Sequence, residues 1–375
     1  MAIVTGLYWF SMYTYVPTLA PYAQSLGASY FMVGLIVGSY GFIQLLARIP
    51  IGVYSDAWGN RKIFVVGGVA LAVLSGLGMW VVPVAVVLLI CRALSGLAAS
   101  AWVDYTVLFA SYYPAKDAPK AIGFINSVSL VGQVAGMLAG GMIAEYYGLA
   151  SPFLLGALGG CVGLLLSLTA HEERTQPRPV NTAVLMEAFR DPDLLRLSGL
   201  AIIVQVITYA TIFGFSPVAA KALGASAIEL GLLATVAIVP SIFSSALSGT
   251  FFVRRFGERG TLIWGLIGMG LSCLVIPFIG DLVWFYWSQA IGGFCRGLLQ
   301  PLLMGLSIKN FSGEKRSTAM GVYQAGYGIG MCGGPIITGI LAGFFGLEWG
   351  FWFIGVVGLI GAGMAGWRRY LPLSG

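Results

Sequence analysis

The chain has 375 residues, of which 58% are hydrophobic and only 9% charged, against about 25% charged in a soluble domain. With a mean hydropathy of +0.90 it has too few charges to cover a water-facing surface, which excludes a soluble enzyme and leaves lipid as the main solvent. The formal net charge of +6 is therefore read by position along the chain and not as a basic face for nucleic acid.

A helix needs about 20 apolar residues to cross a bilayer. That length predicts an all-α membrane protein with twelve transmembrane helices, over residues 3–24, 30–54, 62–82, 84–111, 120–145, 149–170, 196–220, 227–252, 260–280, 282–307, 317–344 and 348–369. The first run, from about Met1 to Tyr22, has no basic segment before it and no small-residue cleavage site, so it reads as a retained helix and not a signal peptide. The spans divide into two six-helix bundles, 1–170 and 196–375, joined by a polar linker at 171–195. The first part of the linker, HEERTQPRPV, reads as a tether, and the second, NTAVLMEAFRDPDLL, as a short amphipathic helix on the inner membrane face. Cys91, Cys161, Cys273, Cys295 and Cys332 all fall in apolar runs, and the one histidine, His171, lies in the linker. No metal site, disulfide framework or cofactor is expected.

Lys and Arg set the orientation. With both termini in the cytoplasm, the inner segments hold Arg61, Lys62, Lys116, Lys120, Arg174, Arg178, Arg190, Arg196, Arg254, Arg255, Arg259, Lys309, Lys315, Arg316, Arg368 and Arg369, and the outer side holds Lys221 alone. A multi-pass protein of the plasma (inner) membrane is expected. The halves also repeat. SLGAS at 25–29 matches ALGAS at 222–226, Gly132 and Gly136 match Gly330 and Gly334, and YYGLASPF at 146–153 matches FFGLEWGF at 344–351. Such repeats mark secondary transporters, whose substrate site lies near the bilayer midplane.

The turn after the second span reads GVYSDAWGNRK, residues 52–62. Gly52, Asp56, Gly59, Arg61 and Lys62 resemble the signature loop of the major facilitator superfamily, with Ala57 and Asn60 where that family usually has Arg. Physically, Gly52 allows a close helix approach, Gly59 a tight turn, and Asp56 either pairs with the basic groups as a charged latch or caps a helix N-terminus; the alternative is a positive-inside turn with a glycine hinge and no gating role. The counterpart in the second half, TFFVRRFGERG at 250–260, has Arg254 at the acid position. CRALSGLAASA at 91–101 resembles the fourth-helix motif. VGQVAGMLAGG at 131–141 resembles the fifth-helix glycine motif of exporters, with Met137 at the usual proline; in the second half, GMCGGPIITG at 330–339 keeps Pro335. Gly132, Gly136, Gly140, Gly330, Gly334 and Pro335 are the expected helix-packing residues. The resemblance implies a twelve-helix transporter working by alternating access, resembling the proton-coupled drug and metabolite antiporters.

Ionisable groups inside spans are costly and mark function. Four are expected there: Arg48, Arg92, Asp104 and Arg296. Arg92 and Arg296 lie on the fourth and tenth helices, which line the cavity in this superfamily, and would suit a carboxylate or phosphate; alternatively they cap backbone carbonyls or tune a proton site. Arg48 and Asp104 lie at nearly equal depth by residue count, so they either form a structural pair or serve proton coupling with Asp104 as carrier. Tyr8, Tyr13, Tyr15, Trp102, Tyr105, Gln205, Tyr209, Trp287, Gln289 and Gln300, with Asn126, Gln133, Tyr323, Gln324 and Tyr327, are the remaining polar and aromatic candidates for a lining that suits an amphipathic organic molecule. The alternative for many of these aromatics is a lipid-interface belt. Absence of a Walker-type loop and of an obvious sodium site favours a proton as the coupling ion. Proton-coupled export of a small molecule by a monomer is the leading expectation, and import or uniport of an anionic, carboxylate-bearing metabolite the alternative. With no Ser/His/Asp set and no paired carboxylates in the spans, an enzyme is not expected.

Overall fold

The computed structural model describes residues 1–172, 182–311 and 315–367. Linker residues 173–181, with Arg174 and Arg178, and the terminal pair Arg368 and Arg369 lie outside the described residues.

The described residues are helical, with no strand among them. Ten stretches are long and apolar enough to cross a membrane. The twelve spans follow from two details. Span 1 is broken into Ala2–Tyr13 and Val16–Ser25, each too short alone, with Pro17 opening the second piece. Spans 8 and 9 run together as one stretch, Ala227–Phe278, across Gly257, whose φ of 72° is not helical. The other spans are Tyr30–Trp58, Arg61–Val81, Ala85–Ser100 continued by Trp102–Ser111, Ala118–Tyr147, Ser151–Leu168, Pro192–Ala222, Leu282–Ile308, Lys315–Phe345 and Leu347–Gly366. In the linker, Thr182–Arg190 forms the short helix expected from its pattern, and Lys315 pairs with its Glu187 at 2.8 Å.

The repeat is visible in the backbone. Every described residue with positive φ is a glycine, and the six form three pairs at equivalent turns: Gly27 and Gly224, Gly59 and Gly257, Gly148 and Gly346. The break in span 1 has its counterpart in span 7, where Thr211–Phe215 winds as a π-helix before Pro217. Caps close several helices: Asp191 accepts from the Leu194 amide, Asp281 from Val283, and Ser226 with Glu229 forms a reciprocal capping box at the start of span 8.

By contact the chain forms two compact units, and their boundary does not follow the chain halves. The first comprises residues 1–27, 46–180 and 226–232. In it, Gly132, Gly136 and Gly140 of span 5 lie directly against the backbone of Gly6, Phe10 and Thr14 in span 1. The first turns of span 8 pack on the same helix, Gly231 against Met137 and Gly141. The Glu145 carboxylate accepts from the Ala227 amide at 2.7 Å. The second unit comprises residues 28–45, 181–225 and 233–375. There Gly330 and Gly334 of span 11 meet the backbone of Ile202 and Val206 in span 7, and the first half of span 2 lies on span 11, Gly34 against the Pro335 carbonyl. Without Cβ atoms at these glycines, the backbones of neighbouring spans come into contact.

Candidate functional site

The turn that contains Gly59 organises a charged cluster on the side of the protein that carries the basic loops. Gly59 has φ 60°, as its predicted turn demands. Asn60 then caps span 3, its side-chain oxygen accepting from the Ile63 amide at 3.3 Å, which gives a reason for Asn where a longer basic residue is usual. Gly52 does not make the close approach expected of it; a Cβ there would meet open space. Arg61 runs between two acids. Its Nη2 donates to Asp56 Oδ1, and its Nε lies 3.8 Å from Asp104 Oδ1. Ser55 donates to the same Asp104 oxygen.

Asp104 is the one buried acid among the described residues, with 2% of its surface exposed, and its Oδ2 has no hydrogen-bond partner. The partner expected for it was Arg48; the structure gives it Ser55 and Arg61. Equal depth by residue count assumes unbroken helices, and span 4 is interrupted at Ala101. Arg48 is buried two helical turns before Ser55 on span 2.

The second half reverses this polarity. Gly257 takes the place of Gly59, the loop supplies the acid, Glu258, and the end of span 10 supplies the base, Lys309, at 2.9 Å. Lys309 is exposed where Asp104 is buried.

The other intramembrane arginines each bond within their own unit. Arg92 is buried, with Nη1 3.5 Å from the Tyr15 hydroxyl and 3.4 Å from Ser95 Oγ, and its guanidinium 5.8 Å from the Tyr15 ring centre. Arg296 donates to Ser241 Oγ at 3.0 Å. Both follow a buried cysteine, and Cys91 and Cys295 each press against a glycine of the preceding span, Gly78 and Gly268. This Cys-Arg repeat was readable in the sequence and links the two arginines as equivalents.

The expected lining residues divide. In the first unit Tyr105 stacks on Tyr8 at 4.7 Å and its hydroxyl donates to the Val65 carbonyl at 3.1 Å, so it ties span 4 to spans 1 and 3. Trp9, absent from the expected set, joins Tyr13 and Trp102 into the same aromatic cluster. Asn126 is exposed and bonds the Ile122 carbonyl of its own helix, and Gln133 is half-buried. In the second unit Tyr209 stacks with Tyr40, and Tyr323 meets Tyr327 edge-on. Gln205 is buried, and Gln300 and Gln324 are half-buried. Gln289 lines a narrow cavity between spans 7, 9 and 10, with Thr208, Thr211 and Ser288. Trp287 is 60% exposed beside Val283 and Trp284, as an interface aromatic is. Among the described residues, no group of three His, Cys, Asp or Glu could hold a metal ion.

The sequence model of the Major Facilitator Superfamily matches residues 1–218 and 197–374. The chain belongs to the Major Facilitator Superfamily. An uncharacterised MFS-type transporter of Methanocaldococcus jannaschii is 24% identical, over 88% of this chain and 87% of its own. A multi-drug resistance efflux pump PmrA homolog of Lactococcus lactis is 25% identical, over 88% of this chain and 84% of its own. Among solved structures, a D-xylose–proton symporter superposes with a TM-score of 0.80 at 18% identity, covering 99% of this chain and 97% of its own, a likeness of fold. Membership makes this chain a multi-pass membrane transporter of small molecules and not an enzyme, built on the superfamily's twelve-helix fold.

Proposed function

We propose that this transporter exports an amphipathic organic molecule in exchange for protons, by alternating access, as a monomer in the plasma membrane with both termini cytoplasmic. The observation that carries the reading is Asp104. It is a buried acid inside a span, held by one hydroxyl and at the edge of contact with one arginine, and one of its oxygens is without a partner. Burial opposes its charge while Ser55 and Arg61 favour it. A carboxyl balanced in this way can gain and lose a proton as Arg61 approaches and retreats. Arg61 also pairs with Asp56 of the signature loop, so a change in protonation of Asp104 acts directly on the latch that closes the cytoplasmic end of the first bundle. The likeness to a multi-drug efflux pump supports the direction. The basic residues gathered at one end support the orientation.

The test is purified protein in proteoliposomes holding a pH-sensitive dye, presented in turn with ethidium, a neutral aromatic, a dicarboxylate and a pentose. Export by antiport predicts that ethidium or the neutral aromatic moves against an opposite proton flux. Movement of the dicarboxylate or pentose together with protons, or without them, would establish import or uniport instead.

A further inference from the structure

The latch has a third participant that neither the signature loop nor the spans contain. Where the chain leaves span 6 it does not go straight to solvent. Its first linker residues are bonded to the start of span 3, more than a hundred residues earlier. One oxygen of the Glu172 carboxylate accepts from the Arg61 amide at 2.8 Å, and the other from the Lys62 amide at 2.7 Å. The Lys62 ammonium donates to the Leu168 carbonyl at 2.7 Å, in the last turn of span 6. The Tyr112 hydroxyl, just past span 4, donates to the His171 carbonyl at 2.6 Å. Burial first, and then the Glu172 carboxylate, push the Tyr112 phenol above its ordinary value, so it keeps its proton and this bond.

The first four amides of a helix have no partner within it. With Asn60 on the Ile63 amide and Glu172 on those of Arg61 and Lys62, three of the four are satisfied in span 3. A carboxylate at a helix N-terminus also meets the positive end of the helix dipole. Glu172 takes the backbone of Arg61 and not its guanidinium, which leaves the guanidinium for the two aspartates. First turns fray when their amides are unsatisfied, and a frayed Arg61 is free to swing into water, away from Asp104.

We infer that Glu172 is a positioning residue for transport: its carboxylate clamps the first turn of span 3 and so holds Arg61 between Asp56 and Asp104. The inference rests on the latch reading of the signature loop. It does not depend on which molecule is carried.

The test compares wild type, Glu172→Gln, Glu172→Ala, Arg61→Ala and the Glu172→Ala/Arg61→Ala double variant, all in lipid nanodiscs. Hydrogen–deuterium exchange at the Arg61 and Lys62 amides is expected to rise about tenfold in Glu172→Ala, which corresponds to about 1.4 kcal/mol. The rise is smaller in Glu172→Gln, which keeps an oxygen acceptor, and the segment 347–366 exchanges as in wild type. The second readout is a double-mutant cycle on substrate flux in proteoliposomes, with ethidium as the first compound. If Glu172 acts on transport through Arg61, its removal has no further effect on flux once Arg61 is alanine, whereas amide exchange still rises because the backbone cap is lost in either background. Unchanged amide exchange would remove the clamp, and additive effects in the cycle would reduce Glu172 to an ordinary helix cap. Should wild type carry neither ethidium nor the neutral aromatic, the export reading fails on its own, while amide exchange still tests the clamp and the flux cycle is run on the compound that wild type does carry.

Discussion

Gly333 and Gly334 are neighbours on span 11 with opposite surroundings, and substituting each in turn isolates the helix seam. A Cβ at Gly334 would lie 2.6 Å from the Val206 carbonyl oxygen and 2.8 Å from Val206 Cα, both backbone atoms of span 7 that cannot rotate away. At Gly333 a Cβ would meet nothing within 4 Å. Alanine gains about 1 kcal/mol of helix propensity over glycine at either position, so that gain cancels in the comparison. What remains is the cost of overpacking at Gly334, about 1–3 kcal/mol. Spans 7 and 11 must separate to admit the methyl, and Gly330 on Ile202 lies in the same seam, so the upper part of that range is expected. The assay is thermal unfolding of the two alanine variants in detergent, followed by tryptophan fluorescence. Gly333→Ala should match or exceed wild type and Gly334→Ala should melt well below it. Equal melting of the two would refute direct backbone contact between these spans.

Other outcomes follow from the same geometry. Gly59→Ala forces an L side chain to φ 60° and should cost about 1–2 kcal/mol, whereas Gly52→Ala, facing open space, should leave unfolding unchanged or slightly raised. Glu145→Gln weakens the cap on span 8; because the carboxylate is exposed the loss is no more than about 1 kcal/mol, and faster exchange of the Ala227 amide would report it. Tyr112 has a raised folded-state pKa, so whatever its hydroxyl contributes is fully present below the unfolded value of about 10 and is lost as pH rises through the higher folded value. Tyr112→Phe should therefore remove the difference in unfolding temperature between pH 9 and pH 11 that this group supplies, with pH roughly bracketing that value.

The spans were legible because the bilayer imposes one length on every helix, and the repeat was legible because its glycines sit where backbones touch or turn. The breaks were not: nothing in the hydropathy of residues 1–25 marks Thr14 and Tyr15 as the join between two short helices. Asp104 stood out as an acid in an apolar run, yet its partner did not, because depth along a helix says little about rotation or about a break at Ala101. Ser55 was hidden by its ordinary chemistry beside the conspicuous Asp56. Trp9 has nothing in the sequence that sets it apart from the many other aromatics of the apolar runs. Glu172 lies in a polar stretch that resembles any solvated tether, and only the fold brings it to the amides of Arg61 and Lys62. Contact across more than a hundred residues leaves no local pattern in a single sequence.

The most direct test of the account is to reconstitute wild type and Asp104→Asn side by side and measure, for a compound that wild type carries, both substrate exchange without a gradient and accumulation driven by an imposed pH gradient. Asparagine keeps the acceptor for Ser55 and cannot take part in proton exchange. The account predicts that Asp104→Asn still exchanges substrate but no longer accumulates it when the gradient is applied. Gradient-driven accumulation at the wild-type rate in Asp104→Asn would contradict it and make Asp104 a structural partner of Ser55 and Arg61.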